Sequence, residues 1–308
     1  NMDGLHTRYE DTDAIYEEIA ASPREEATAI MQRIYSAPQK PELIAKKVEE
    51  VKKGGGVAAV SFVPQNAKRM APLAVEAGAD MVVVQGTVVT ARHSSKSLKG
   101  LVFSDMIKDL DVPVLVGNTV SYEVTKELMQ QGIAGIMVGV GPGSVCTSRE
   151  VLGIGIPQVS ATIECAAARD DFFKETGQYI PIITDGGIRT GGDVCKSFAA
   201  GANAVMIGSP FAKTEEAPAK GYHWGMATWH DSLPRGTRIN MGTEYSLHQL
   251  LYGPSSRTDG TLNLVGALQV CMGYVGAETI REMNKARMVY APAIKTEGKI
   301  YQQAGLGS

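Results

Sequence analysis

Residues 131–149 read Gln131-Gly132-Ile133-Ala134-Gly135-Ile136-Met137-Val138-Gly139-Val140-Gly141-Pro142-Gly143-Ser144-Val145-Cys146-Thr147-Ser148-Arg149. The first part closes a helical pattern with a glycine and runs into an apolar stretch at 134–138. That stretch does not alternate, so it predicts a strand covered on both faces, as in a parallel sheet. The second part puts three glycines within residues 139–143, which lets the backbone come close to a ligand. Ser144, Cys146, Thr147 and Ser148 follow at once. Parallel α/β folds carry their chemistry at the C-terminal ends of strands, where this loop emerges.

The helix–glycine–strand unit recurs. Gly78 precedes an apolar run at 81–84, Gly132 one at 136–139 and Gly201 one at 204–208, and each glycine suits the end of a helix. Further runs at 57–62, 112–117 and 180–185 bring the strand candidates to six, with helical patterns between most of them. Such repetition predicts an open doubly wound sheet or a closed (β/α)8 barrel. A barrel needs two more strands, and residues 211–308 do not continue the repeat. The chain opens on Asn1-Met2-Asp3-Gly4-Leu5 as though a strand had just ended. The expectation is therefore an α/β protein, a (β/α)8 TIM barrel with N-terminal strands missing from this chain, the six seen being the third to the eighth. Pro38 and Pro41 divide the polar region 10–50 into two helices. No linker marks a second globular unit, so 1–308 reads as one catalytic domain with a flap over about 222–265.

A net charge of -3 argues against a nucleic-acid binder, which is usually basic. No apolar run approaches the roughly 20 residues that span a bilayer. The four cysteines, Cys146, Cys165, Cys195 and Cys271, are too widely spaced for a metal site or a small disulfide framework, which points to a reducing cytoplasmic setting.

The loops after 180–185 and 204–208 would follow the seventh and eighth strands, the usual phosphate position in such barrels. Gly187 and Gly208 can present bare N–H groups, and Ser209 adds an N–H, a hydroxyl and a helix start. Asp185, at a strand end, suits a ribose diol, because a carboxylate accepts two hydroxyl hydrogen bonds. The plainer alternatives are tight turns for the glycines and a helix cap for Asp185. Cys146 is a candidate nucleophile, with a packed core cysteine as the alternative. Thr147 and Ser148 stand beside it to orient water or ligand, while Cys165, Cys195 and Cys271 lie in helical patterns and read as structural. Beyond the last strand, His223, Trp224, Gly225 and Met226 lead into a polar stretch with Arg235 and Arg238, the composition of a flap.

Residues 141–149, Gly-Ile-Pro-Gln at 155–158, Asp-Gly-Gly-Ile-Arg at 185–189, Val-Met-Ile-Gly-Ser at 205–209, Gly225-Met226 and Gly-Tyr-Val-Gly-Ala at 273–277 resemble the IMP dehydrogenase and GMP reductase family. The likeness is to its short, divergent cyanobacterial and actinobacterial branch, which lacks the regulatory CBS domain. Residues 21–50 occupy that domain's place and are far too short to hold it. The resemblance implies a homotetrameric barrel that takes IMP and NAD, without nucleic-acid or membrane partners. By that resemblance, Cys146 attacks C2 of the purine. Ser144, Gly187, Gly208 and Ser209 hold the 5′-phosphate, Asp185 the ribose, and Gly225, Met226 and Ala227 lie along the base. Asn118 and Gly139 line the nicotinamide region, and Gly141, Gly143 and the carbonyl of Cys146 form a loop for a monovalent cation, K+. Relatives complete that cation with a Glu-Gly-Gly, which stands here as Glu297-Gly298-Lys299. Other departures are His223 for the phosphate tyrosine, Gln85 for the aspartate on the dinucleotide ribose, and Arg235 for the residue that reads the base edge.

In the resembling enzymes, IMP dehydrogenase passes a hydride from C2 to NAD⁺ and an arginine activates water, whereas GMP reductase uses a threonine–glutamate pair and releases ammonia. Ser148 and Arg235 stand for that pair here, and a guanidinium accepts no proton and repels ammonium. The expectation is an NAD-dependent IMP dehydrogenase, with Arg235 or Arg238 for the water step. The alternatives are a GMP reductase, a catalytically silent nucleotide-binding barrel and a flavin oxidoreductase.

Overall fold

The computed structural model describes residues 1–91, 101–225 and 238–289. Three helices come first: α1 (Asp13–Ala21), α2 (Ala27–Tyr35) and α3 (Pro41–Lys53). The expected two become three because Ser22, which precedes Pro23, is extended with ψ 136°. A residue before proline is pushed out of the helical region, so the chain breaks there too.

The alternating part follows as β1 (Ala59–Phe62), α4 (Pro64–Glu76), β2 (Met81–Gln85), α5 (Phe103–Lys108), β3 (Val114–Thr119), α6 (Tyr122–Met129) and β4 (Gly135–Val138). It continues through α7 (Ser148–Leu152), α8 (Gln158–Thr176), β5 (Ile182–Asp185), α9 (Gly191–Ala199), β6 (Ala204–Met206) and α10 (Ser209–Ala212). The last part holds β7 (Tyr222–Trp224), β8 (Arg238–Asn240), α11 (Leu247–Tyr252), α12 (Leu264–Val275) and α13 (Ile280–Met283).

All six expected strands form, and they pair in parallel in chain order from β1 to β6. Among the described residues β1 and β6 do not pair with each other, so the curled sheet is open, a partial barrel of the (β/α)8 kind. β7 and β8 make a separate antiparallel pair in which His223 faces Ile239.

The unbroken apolar runs are explained by burial on both faces. On one face Val82, Val84, Val116, Ile136, Val138 and Ile182 are 0 % exposed, packed against α4, α6 and α8. Each such side chain contributes roughly 1.5–3 kcal/mol relative to exposure. On the other face Val83, Leu115 and Met137 form a second layer with Met81 and Ile183. Alternate residues of a strand point to opposite faces, so the two sets come from the same strands. The chain after β6 builds a further cluster around α9, with Leu250, Leu264 and Met283 from α11, α12 and α13.

The first residues lie along the end of β1. Met2 N–H donates to the Ser61 carbonyl at 2.8 Å. The buried Asp3 carboxylate accepts from Val63 N at 2.6 Å, Asn66 Nδ2 at 2.6 Å and Gln39 Nε2 at 3.0 Å. Burial raises the Asp3 carboxyl above its ordinary range, so these donors are what keep a charge there tolerable. Among the described residues no helix is long and apolar enough to cross a membrane.

Candidate functional site

Because the strands are parallel, Gln85, Asn118, Gly139, Asp185 and Gly208 all fall at one edge of the sheet. Gly139 leaves β4 at φ 146°, and a Cβ there would sit 2.1 Å from the Asp185 carbonyl oxygen. Only glycine allows β4 and β5 to end so close together. Gln158 closes the gap from α8: its Nε2 donates to the Val138 carbonyl at 2.7 Å.

The loop beyond folds back on itself. Cys146 N–H donates to the Gly143 carbonyl at 3.1 Å, and the Cys146 Sγ lies 3.1 Å from Ser148 Oγ. Ser148, the first residue of α7, is buried, whereas Cys146 is half-buried. Cys165 and Cys195 lie on helices rather than in this loop. Burial pushes each of their thiols up to about 12, which keeps them protonated and poorly nucleophilic. Cys165, Cys195 and Cys271 lie on α8, α9 and α12.

A polar cluster stands two residues from the thiol. Ser144 Oγ is 2.5 Å from Ser209 Oγ, and Ser209 Oγ is 3.3 Å from His223 Nδ1. Gly208 lies against the same ring: a Cβ on it would be 3.4 Å from His223 Cε1. Gly187 abuts Pro142 of the cysteine loop, its own Cβ position being 3.1 Å from Pro142 Cβ. Burial lowers the His223 pKa, so at neutral pH the imidazole is uncharged and acts as a hydrogen-bonding group. Gly225 reaches the Val145 carbonyl, at 3.5 Å from its Cβ position. A cavity of about 200 Å³ opens here, lined by Asn1, Asp3, Gln85, Val145, His223 and Trp224 among others.

The third component is an amide-bound carboxylate. Gln85 Nε2 and Asn118 Nδ2 both donate to Asp185 Oδ2, each at 2.8 Å. Asn118 Nδ2 also donates to the Gly139 carbonyl at 2.8 Å, and Gln85 Nε2 to Asn118 Oδ1 at 3.2 Å. Burial raises the Asp185 carboxyl, and the two amides oppose that shift.

Arg238, nominated for the water step, is committed elsewhere. Its Nη1 donates to the Ile19 carbonyl and, at 2.7 Å, to Ser22 Oγ. Its Nη2 donates to the Ser22 carbonyl at 2.8 Å, and its guanidinium lies 5.1 Å from the Tyr222 ring centroid. It thus ties β8 to the C-terminal end of α1, where unpaired carbonyls and the helix dipole favour a cation. Trp224 Nε1 donates to Tyr35 OH at 2.9 Å, so the strand that carries His223 is also fixed to α2. Met226, Ala227, Arg235 and the stretch with Lys299 lie outside the described residues.

The loop nominated for K+ is filled on one side. A Cβ on Gly141, which has φ 88°, would be 2.6 Å from Arg149 Nε, and Arg149 Nη2 donates to the Ile156 carbonyl at 3.2 Å. The Arg149 guanidinium beside Gly141 opposes a second cation on that side of the loop. Arg149 and Gln158 were given no role from sequence although both lie in the quoted motifs. Their signal was the glycines beside them, since Gly141 and Gly139 leave room for these two side chains.

Comparison with known proteins agrees with this geometry. The family model described as IMP dehydrogenase / GMP reductase domain matches residues 21–231. A protein of Mycolicibacterium smegmatis described as an uncharacterized oxidoreductase is 39% identical over 92% of this chain and 77% of its own length. Inosine-5′-monophosphate dehydrogenase of Aquifex aeolicus is 38% identical over 75% of this chain and 49% of its own. The crystal structure of an IMP dehydrogenase/GMP reductase-like protein from Corynebacterium glutamicum superposes with a TM-score of 0.86 at 35% identity, covering 94% of this chain and 78% of that one. With the cysteine loop, the serine–histidine cluster and the strand-end carboxylate on one sheet edge, the chain belongs to the IMP dehydrogenase / GMP reductase family.

Proposed function

We propose that this protein is an IMP dehydrogenase that oxidises inosine 5′-monophosphate to xanthosine 5′-monophosphate through a covalent bond to Cys146. The observation that carries the assignment is the Ser144–Ser209–His223 cluster, whose Ser144 belongs to the loop that bears the thiol. Only Val145 separates Ser144 from Cys146, so a phosphate held at the cluster leaves the rest of a nucleotide within reach of Sγ. Asp185, at the next strand end, is the diol acceptor between them.

In this reading the Cys146 sulfur bonds to C2 of the purine. The hydride leaves C2, and water then replaces sulfur, returning the thiol and giving the oxidised base. A nicotinamide dinucleotide, a second substrate here, accepts the hydride. Of the residues nominated for it, Gln85 and Asn118 spend their amide hydrogens within the strand ends, and Gly139 is covered by the Asp185 carbonyl. Its grip therefore comes from other groups. Ser148, buried and 3.1 Å from Sγ, fixes the thiol rotamer and accepts or donates a hydrogen bond as the sulfur changes charge. Arg235 remains the candidate for activating water. The assignment carries with it a cytoplasmic homotetramer in guanine nucleotide synthesis.

The test offers IMP with NAD⁺, then GMP with NADPH, and follows absorbance of the reduced nicotinamide. Turnover with the first pair, and a purine adduct on Cys146 in the mass spectrum of the quenched reaction, are expected. Turnover only with the second pair makes it a GMP reductase. Turnover with neither pair, or activity that survives Cys146→Ala, overturns the assignment.

A further inference from the structure

We infer that Gln85 is a positioning residue of the nucleotide ribose subsite, acting through Asp185, and not a residue of the dinucleotide site. The inference rests on the nucleotide reading above and deepens it. An amide nitrogen has two hydrogens. In Gln85 one goes to Asp185 Oδ2 at 2.8 Å and the other to Asn118 Oδ1 at 3.2 Å. Asn118 is used up in the same way, on Asp185 Oδ2 and the Gly139 carbonyl. Neither amide keeps a hydrogen for a second ligand.

The arrangement is lopsided in a useful way. Both donors fall on Oδ2, and among the described residues no donor is given to Oδ1. Oδ1 is not sealed off either, since among the described residues Gln158 Oε1 is the buried side-chain polar atom without a partner. Two amides therefore clamp one oxygen and leave the other, with its two lone pairs, for neighbouring hydroxyls. Burial would otherwise favour the protonated carboxyl, and the amides are what oppose this. Gln85 also lines the cavity together with Val145 and His223, neighbours of the thiol and of the phosphate cluster. A carboxylate at position 85 would put two acids within hydrogen-bond distance, where both cannot ionise. The neutral amide of Gln85 avoids that conflict while donating to Asp185.

The experiment measures IMP affinity by calorimetry and the KM values for IMP and NAD⁺ in the wild type, Gln85→Leu, Gln85→Asn and Gln85→Glu. Gln85→Asn retains polarity but is one methylene too short to reach Oδ2, and it serves if Gln85→Leu does not fold. Loss of a hydrogen bond to a charged group predicts roughly tenfold or more weaker IMP binding. The KM for NAD⁺ should move less than threefold. With an IMP analogue lacking both ribose hydroxyls, the penalty of Gln85→Leu should shrink toward none, because Asp185 then has nothing to hold. Gln85→Glu should bind IMP poorly at neutral pH and recover as the pH falls and the two acids share a proton, a response that a merely structural role would not produce. If the variants raise the KM for NAD⁺ and leave IMP affinity alone, the inference is wrong. If the wild type binds IMP with a clear need for the diol and Gln85→Leu and Gln85→Asn change nothing, the inference fails and the nucleotide reading stands. If the wild type binds no IMP, both fall.

Discussion

Replacing Ser209 with alanine isolates the phosphate cluster. The hydroxyl that is lost stands between Ser144 Oγ, at 2.5 Å, and His223 Nδ1, at 3.3 Å, and Ser209 itself is only half-buried. A hydrogen bond to a charged partner contributes about 1.5–3 kcal/mol, and about 1.4 kcal/mol is tenfold in affinity, so IMP binding should weaken by roughly 10- to 140-fold. The lower end is expected. Ser144 is close enough to turn its hydroxyl into the vacated space, and the Ser209 N–H is retained at the start of α10. The fold should be little affected, because no core side chain is shortened and the neighbouring Pro210 stays buried.

The assay is calorimetry with IMP and with inosine, which has the same base and ribose but no phosphate. Ser209→Ala should weaken IMP by the stated factor and leave inosine within about twofold, so that the discrimination between the two compresses. A melting curve within about 2 °C of the wild type guards against a folding artefact. If inosine and IMP lose affinity equally, or neither does, then the cluster does not hold the phosphate and the reasoning is refuted.

Three further outcomes follow from the same geometry. Arg238→Ala, by cutting the link to Ile19 and Ser22, should cost about 1.5–3 kcal/mol of stability and raise the KM for IMP more than it lowers kcat; a large fall in kcat with KM intact would return this residue to the chemistry. Asp185→Asn should melt above the wild type at pH 7 while losing IMP affinity. Its folded-state carboxyl is raised by burial, so the stability Asp185 contributes is present below the unfolded carboxylate range and is lost as pH rises through the folded value. The gain in melting temperature should therefore vanish in acid, and a lower melting temperature at neutral pH would contradict it. Finally, exchanging K+ for Na+ at constant ionic strength should change turnover less than twofold, because Arg149 already fills the Gly141 side of the loop; a strong dependence on K+ would show that the guanidinium moves away.

The sheet was legible because its strands are apolar on both faces and recur as short unbroken runs of Val, Ile and Met between helical patterns. The pair β7–β8 was not, since three-residue strands with half-buried residues such as His223 and Ile239 carry no period. Helix breaks were read at Pro38 and Pro41 but missed at Pro23, whose effect falls on the residue before it. At the site, Ser144, Ser148 and Ser209 could be named because a motif fixes backbone position, and these side chains are too short to point elsewhere. Gln85, Asn118, Arg149 and Arg238 are long or amide-bearing, and periodicity assigns such residues a face without a partner. Their partners lie 33 to 219 residues away in several cases, as for Gln85 with Asn118 and Arg238 with Ile19, and only the folded backbone supplies them.

The distribution of charge across the site carries a last step. Ser144, Ser209 and an uncharged His223 make the phosphate cluster from neutral donors, and two neutral amides hold Asp185. Two guanidiniums act as struts: Arg149 lies against Gly141, and Arg238 ties the β7–β8 pair to α1. Neutral recognition costs less on desolvation than a buried ion pair and is little screened by salt. Between β7 and β8 the sequence carries Arg235, the group proposed above for activating water. Both ends of that segment are fixed, at Trp224 through Tyr35 and at Arg238 through Ser22. The proposed division is physically sensible: neutral donors take the nucleotide, and Arg235 serves the water step.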